Sequence, residues 1–377
     1  MVNSLQTTKR NYGIDLLRII SMIFVICHHI LMQGGLINAS EPCSPKYYWF
    51  SFLNILAYCA VDCYALITGY VMCNKKFKLS NLLNLWITVI FWSVVVSCVF
   101  FVIKPETRSV SEMVSMFFPV LRGRYWFFTA YVVMYFMTPV LNHIINTLNR
   151  NTYLFFFGVC FIVFGLIPVF SLGNDVLGIN NGLHFSLLIM MYLIGGYIKK
   201  YEAESVRLNC KKRNYLIGYF IIAGVHLIYK IAIEQLTQFV LGQASYGDLL
   251  LTYVSPFIIG EAVCLFLYFK QVNINAEKIS GKLIKWTMPC VFSVYIIHVH
   301  PLIFWDVMPN LFASWGKYNP FIVTVMIIIL ALLVFCVCIL LDKVRVLLFR
   351  VFWVPSLSER VSALCMNIAY KINRVLF

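Results

Sequence analysis

Long apolar runs recur along the chain, separated by short polar or basic segments. At ~1.5 Å of rise per residue, about 20 residues cross a hydrocarbon core of roughly 30 Å. Windows of that length predict transmembrane helices near residues 14–33, 48–72, 82–103, 126–146, 153–170, 182–199, 214–235, 248–269, 287–306 and 320–342. No strand periodicity or internal repeat is visible. The expected fold is therefore all-α, one polytopic bundle of about ten helices. It divides into an N-terminal tail (1–13), a transmembrane unit (14–342) and a basic amphipathic tail (343–377) lying along the membrane surface.

Composition agrees. Of 377 residues, 61% are hydrophobic and only 12% charged, with a mean hydropathy of +0.84; a soluble core could not hide that much apolar surface. Residues 1–12 are polar and no small-residue cleavage site follows the first apolar segment, so that segment is expected to remain as a helix. The net charge of +15 is unevenly placed. With the amino terminus inside, the basic residues gather in the tail and loops on the cytoplasmic side, including Lys9, Arg10, Lys75, Lys76, Lys78, Arg207 and those beyond residue 342. The opposite side receives Lys46, Lys104, Arg108, Arg122, Arg124 and Lys317, and Arg18 and Lys230 fall within spans. This asymmetry places both termini in the cytoplasm of a multi-pass inner-membrane protein. The charge is accounted for by orientation and anionic lipid, not by nucleic acid. The thirteen cysteines lie mostly in spans, which argues against a disulfide framework, and they lack the Cys/His spacing of a zinc site, so no metal is expected.

The first span is the most informative, because it carries Asp15, Arg18, His28 and His29 through an otherwise apolar run. Charges at membrane depth are costly and usually face a bundle interior, where they mark a substrate or proton path. Arg18 and His29 are separated by eleven positions, about 1100° of helix and only ~20° beyond three turns, so they share one face about 16 Å apart along the axis. A cation near one surface and a titratable base deeper in thus belong to one helix. Asp15, three residues before Arg18, can neutralise or orient it. His28, about 100° around the helix, is expected to be a packing residue.

These residues also carry a resemblance. Gly13-Ile-Asp-Leu-Leu-Arg18, followed by ten residues and His29, resembles the Arg-x10-His motif of membrane-bound acyltransferase family 3. Three further segments agree in order: Val61-Asp-Cys-Tyr-Ala-Leu-Ile-Thr-Gly-Tyr70, with Thr68 where the family usually has Ser; Tyr125-Trp126-Phe127 with Tyr131 and Pro139; and Ser293-Val-Tyr-Ile-Ile-His298 with Pro301. The resemblance implies an integral membrane O-acyltransferase. It would move an acyl group, commonly acetyl, from cytoplasmic acetyl-CoA or another acyl-CoA to a hydroxyl of a cell-surface polysaccharide or lipid-linked glycan. In that scheme Arg18 engages the CoA phosphates with its planar fork, and His29, which titrates near working pH, deprotonates the acceptor. Asp62 either orients His29 or pairs with Arg18. Arg124, Tyr125, Trp126 and Tyr131 would bind the acceptor sugar by stacking and guanidinium contacts, the alternative being an aromatic belt with interfacial arginines such as Arg122 and Arg124. Many relatives carry another polar residue where this chain has Tyr125.

Further candidates are Glu261, without a local partner, and His298, for which a structural role is slightly favoured over a catalytic one. Lys230 and Glu234 are expected to pair along one helix, near His226. The competing class is a transporter or flippase for a glycan or lipid-linked intermediate, using the same buried charges as a binding site and relay. The spans hold few deep carboxylates, chiefly Asp62 and Glu261, which disfavours a long relay. A second competitor is a non-enzymatic membrane scaffold.

Overall fold

The computed structural model describes residues 10–178, 180–205 and 210–376; Lys9 and Arg207 of the cytoplasmic charge pattern, and most of the N-terminal tail, lie outside them. The regular secondary structure of the described residues is all helical, with no strand. The helices are α1 (Tyr12–Leu31), α2 (Pro45–Tyr58), α3 (Ala60–Met72), α4 (Leu79–Ile103), α5 (Val110–Phe117), α6 (Trp126–Thr147), α7 (Arg150–Cys160), α8 (Ile167–Phe170), α9 (Phe185–Tyr201), α10 (Lys212–Leu241), α11 (Pro256–Lys270), α12 (Ile279–Thr287), α13 (Val291–His298), α14 (Pro301–Phe304), α15 (Pro320–Val351) and α16 (Val354–Leu376). The chain is an all-α polytopic membrane protein.

Each of the ten expected segments carries a helix, but among the described residues only six stretches are long and apolar enough to cross a membrane alone: Tyr12–Leu31, Pro45–Met72, Leu79–Ile103, Trp126–Thr147, Lys212–Leu241 and Pro320–Val351. Of the other four, α9 is an unbroken helix of 17 residues, and three are shortened or broken for local reasons. α7 passes through a π-helical turn, Phe161–Leu166, before α8. The segment expected from residue 248 becomes helical only at Pro256, where Ser255 Oγ accepts from Phe257 N at 3.3 Å and proline occupies the first turn. The segment at 287–306 is split between α13 and α14 by Pro301. Helix α15 runs on to Val351, past the expected end at 342.

Helix α1 is central, packed against α2, α3, α11, α13 and α15. Asn11 fixes its start, with Oδ1 accepting from Gly13 N at 2.9 Å and Ile14 N at 3.2 Å, and Asp15 in the first turn meets the positive end of the helix dipole. One apolar core gathers α3, α6, α9 and α11 around the first half of α1; a second gathers α4, α13 and α15 around its later half. Helices α3 and α9 approach most closely, because a Cβ on Gly69 would lie 2.1 Å from the Tyr192 carbonyl oxygen and one on Gly195 would lie 2.2 Å from that of Leu66; small residues let membrane helices pack backbone to backbone. The outer faces of α10 and α15 expose Ile228, Phe239, Ile329 and Leu333, as lipid-facing surfaces do.

Candidate active site

At the end of the bundle opposite the start of α1, a cavity of about 450 Å³ opens between α1, α3, α6 and α13. Met22, Val25 and His29 line it. With Arg18 they form the stripe at spacings of four, three and four residues, so the common face read from the sequence is the cavity wall, and Arg18 sits one turn below it. His28 also lines the cavity, contrary to its expected packing role. Its Nδ1 lies 2.6 Å from Asn54 Oδ1, and its ring meets Tyr58 edge-on at 5.1 Å. The neighbouring face is open because α2 and α3 part at Cys59, where α2 ends.

The hydrogen bonds assign the protons of the histidine pair. His298 Nδ1 lies 2.6 Å from the Val294 carbonyl, which can only accept, so Nδ1 carries the hydrogen. The Nε2 of a neutral His298 is then an acceptor. It lies 3.2 Å from His29 Nδ1, which must donate. His29 therefore keeps its hydrogen on Nδ1 and an unprotonated Nε2, for which the described residues supply no hydrogen-bond partner. The ring is held edge-on by Phe304 at 5.0 Å, and α14 is tied to the end of α1 by Gln33 Nε2 donating to the Phe304 carbonyl at 3.2 Å. The sequence left the role of His298 open, and the structure places it against His29.

Asp62 is brought to neither expected partner. It is fully buried and both carboxyl oxygens lack a hydrogen bond, as do both oxygens of Glu261 on α11. Arg18 instead pairs through Nη1 with Asp15 Oδ1 at 3.0 Å, while Asp15 Oδ2 receives Arg10 Nε at 2.5 Å. Tyr64 Oη donates to the Arg18 carbonyl at 2.5 Å. The Arg18 side chain stays 25% exposed, with Nη2 and Nε uncommitted.

The aromatic segment is divided. Trp126 lines the cavity and leans on Tyr253 (5.7 Å between centroids), which stacks on Tyr58 at 4.5 Å; this is an aromatic wall. Tyr125 also lines the cavity but is buried, its hydroxyl unpartnered. Tyr131 packs between Phe127 and Tyr135 and does not reach it. Arg124, expected to contact sugar, lines the cavity as well. Its side chain is 2% exposed and fixed by Glu112 (2.5 and 2.9 Å), Ser97 Oγ (2.9 Å) and His300 Nε2 (2.7 Å). Burial raises the Glu112 carboxyl, but the Arg124 and Ser97 hydrogen bonds outweigh that and leave it below the usual carboxylate range. This network staples α5 to α4, α6 and the α13–α14 break.

At the other end, a groove of about 700 Å³ between α4, α13, α15 and α16 is lined by Arg345, Arg350 and Trp353, and Phe292 lines both this groove and the histidine cavity. Arg345 is held by Asp342 at 2.6 and 2.7 Å. Among the described residues no group of three or more His, Cys, Asp or Glu side chains is arranged to hold a metal.

Among known proteins, no curated sequence and no solved structure matches the chain. A family model described as an acyltransferase domain matches residues 11–342. That range takes in the Arg18–His29 stripe, the aromatic wall and the His298 contact. With nearly the whole chain matched, this protein is a membrane-bound acyltransferase belonging to acyltransferase family 3.

Proposed function

We propose that the protein transfers an acyl group, acetyl in the simplest case, from cytoplasmic acyl-CoA to a hydroxyl of a surface or lipid-linked glycan. His29 is the base and Arg18 the donor-side cation. The observation that carries this reading is the His29–His298 pair, which leaves an unprotonated Nε2 on a ring lining an aromatic cavity. A sugar hydroxyl is a poor nucleophile until a base takes its proton. In the reaction, His29 Nε2 accepts the hydroxyl proton as the oxygen bonds to the thioester carbonyl carbon. The C–S bond breaks, and the departing CoA thiolate recovers the proton, giving an ester and free CoA thiol. His298, which touches no reacting atom in this scheme, is a positioning residue.

The polarity supports the scheme. Positive charge concentrates at the end where α1 begins, and the cavity lies at the other, so we place the histidines toward the outside and Arg18 toward the cytoplasm. The uncommitted edge of Arg18 suits a phosphate, and the groove meeting the cavity at Phe292 offers the thioester a way in. The acceptor sugar rests on Trp126 and Tyr58. Asp15 holds the Arg18 guanidinium in place.

The test is radiolabelled acetyl-CoA supplied to the cytoplasmic face of inverted vesicles, with label counted in the glycan fraction. The proposal expects label that depends on this protein. Movement of glycan across the membrane without label would instead favour a flippase.

A further inference from the structure

A second cavity, of about 610 Å³, adjoins the first, and His28, Met32 and Tyr58 line both. Its walls are the turn after α8 and the loop 244–254, the stretch that Pro256 keeps out of α11. The aromatic wall therefore runs without interruption from Trp126 through Tyr253 to Tyr58 and into this second space. Three carboxylates line it: Asp175, Glu234 and Asp248. Lys230 is bound to two of them, 2.6 Å from Glu234 Oε1 and 2.7 Å from Asp248 Oδ1, so this trio, one cation between two carboxylates, is net negative. Glu234 is buried, yet its Oε2 has no hydrogen-bond partner, while its Oε1 also receives Tyr47 Oη at 3.0 Å. Gly247 lies so close over this carboxylate that a Cβ there would meet Oε1 at 2.4 Å. A buried carboxylate oxygen without a donor, on the wall of an open space, is a place for a hydroxyl group to donate.

We infer that this second cavity is the vestibule through which the acceptor reaches His29, and that its carboxylates select an uncharged polyhydroxylated chain and turn away polyanionic ones. The inference rests on the proposed function. Hydroxyls of a neutral sugar donate to carboxylate oxygens while the ring face lies on Tyr58, an apolar body with polar edges meeting a surface of the same kind. A uronate or phosphate-bearing chain meets like charge in a partly enclosed space, where the field is concentrated. The Lys230 ammonium is already engaged by two carboxylates and offers such a chain no compensating cation.

The experiment uses the full chain in sealed membranes with the vestibule facing the reagent. Ala244, which lines the space and is half-buried, is replaced in Ala244→Cys and treated with a cationic or an anionic methanethiosulfonate of matched size; Tyr246→Cys, exposed on the same wall, serves if the first variant does not fold. Either adduct is expected to stop acetyl transfer to glycan while binding of acetyl-CoA from the cytoplasmic side persists. The cationic reagent is expected to react about tenfold faster than the anionic one, normalised to a free thiol, as a potential of a few kT requires. Asp248→Asn, at a side chain 61% exposed, is expected to reduce that preference severalfold. Full transfer after complete modification, or equal rates for the two reagents, overturns the vestibule. Absence of any transfer by the unmodified protein overturns the underlying function instead, so the two failures are separable.

Discussion

His298→Ala removes the acceptor that keeps the hydrogen of His29 on Nδ1. The contact is a single neutral hydrogen bond of 3.2 Å, worth about 1 kcal/mol net. Without it the His29 ring is free to place its hydrogen on Nε2, the atom that must be bare, and to rotate away from Phe304. Loss of the bond alone corresponds to roughly a fivefold fall in the fraction of competent base, at 1.4 kcal/mol per tenfold. Loss of orientation adds to it, as residues that orient a functional histidine typically matter by about 10–100-fold. The expected result is a fall in kcat of about 10–100-fold with KM for acetyl-CoA unchanged, measured by transfer of label from acetyl-CoA in vesicles containing equal amounts of folded protein. His298→Gln, whose amide oxygen can accept from Nδ1, is expected to recover part of the loss. The double variant His29→Ala/His298→Ala is expected to be no slower than His29→Ala alone, because residues acting as one unit are not additive. Wild-type kcat in His298→Ala, or multiplicative losses in the double variant, would refute the proton assignment.

Four further outcomes follow. Arg124→Ala breaks a buried ion pair and is expected to cost about 3–5 kcal/mol of stability, read as a large drop in thermal midpoint in detergent rather than as a raised KM for acceptor. Because Glu112 is held below the usual carboxylate range when folded, its contribution is complete above its unfolded value near 4.5 and is lost as pH falls through the lower folded value; thermal midpoints followed from about pH 5 down to about 3 are expected to fall less steeply in Glu112→Gln. Gly69→Ala pushes a methyl against the Tyr192 backbone and is expected to lower the yield of folded protein, whereas Gly224→Ala, with open space around it, is expected to leave yield unchanged in a size-exclusion assay. Arg18→Ala is expected to raise KM for acetyl-CoA about tenfold or more through loss of a charge-assisted phosphate contact, with the acceptor KM unchanged.

What the sequence made legible is what lies within one helix. The Arg18–His29 stripe, the Asp15–Arg18 pair and the Lys230–Glu234 pair depend on spacings of eleven, three and four residues, and helical geometry fixes all of them. The family resemblance of the first span, supported over residues 11–342, is legible for the same reason, since a motif is a local spacing. Contacts between distant segments were not. His298 is 269 positions from His29, and nothing in its own span says which wall it faces. The ties that hold Arg124 were not legible, because its partners, Glu112 on the short helix α5 and His300 at a proline break, come together only in the folded bundle. His28 was read as packing because angle around a helix alone does not show that α2 and α3 part at Cys59. Each of the ten hydropathy windows holds a helix, but the windows missed the short helices α5 and α12 and overstated the lengths of segments interrupted by Pro256, Pro301 or a π turn, because a window average does not register backbone breaks.

The most direct measurement is the rate of acetyl transfer from cytoplasmic acetyl-CoA to membrane glycan by His29→Ala, set against wild type at equal membrane abundance. If His29 Nε2 takes the acceptor proton, the variant falls by at least about 100-fold while still binding acetyl-CoA. Labelling by His29→Ala at the wild-type rate would contradict the account.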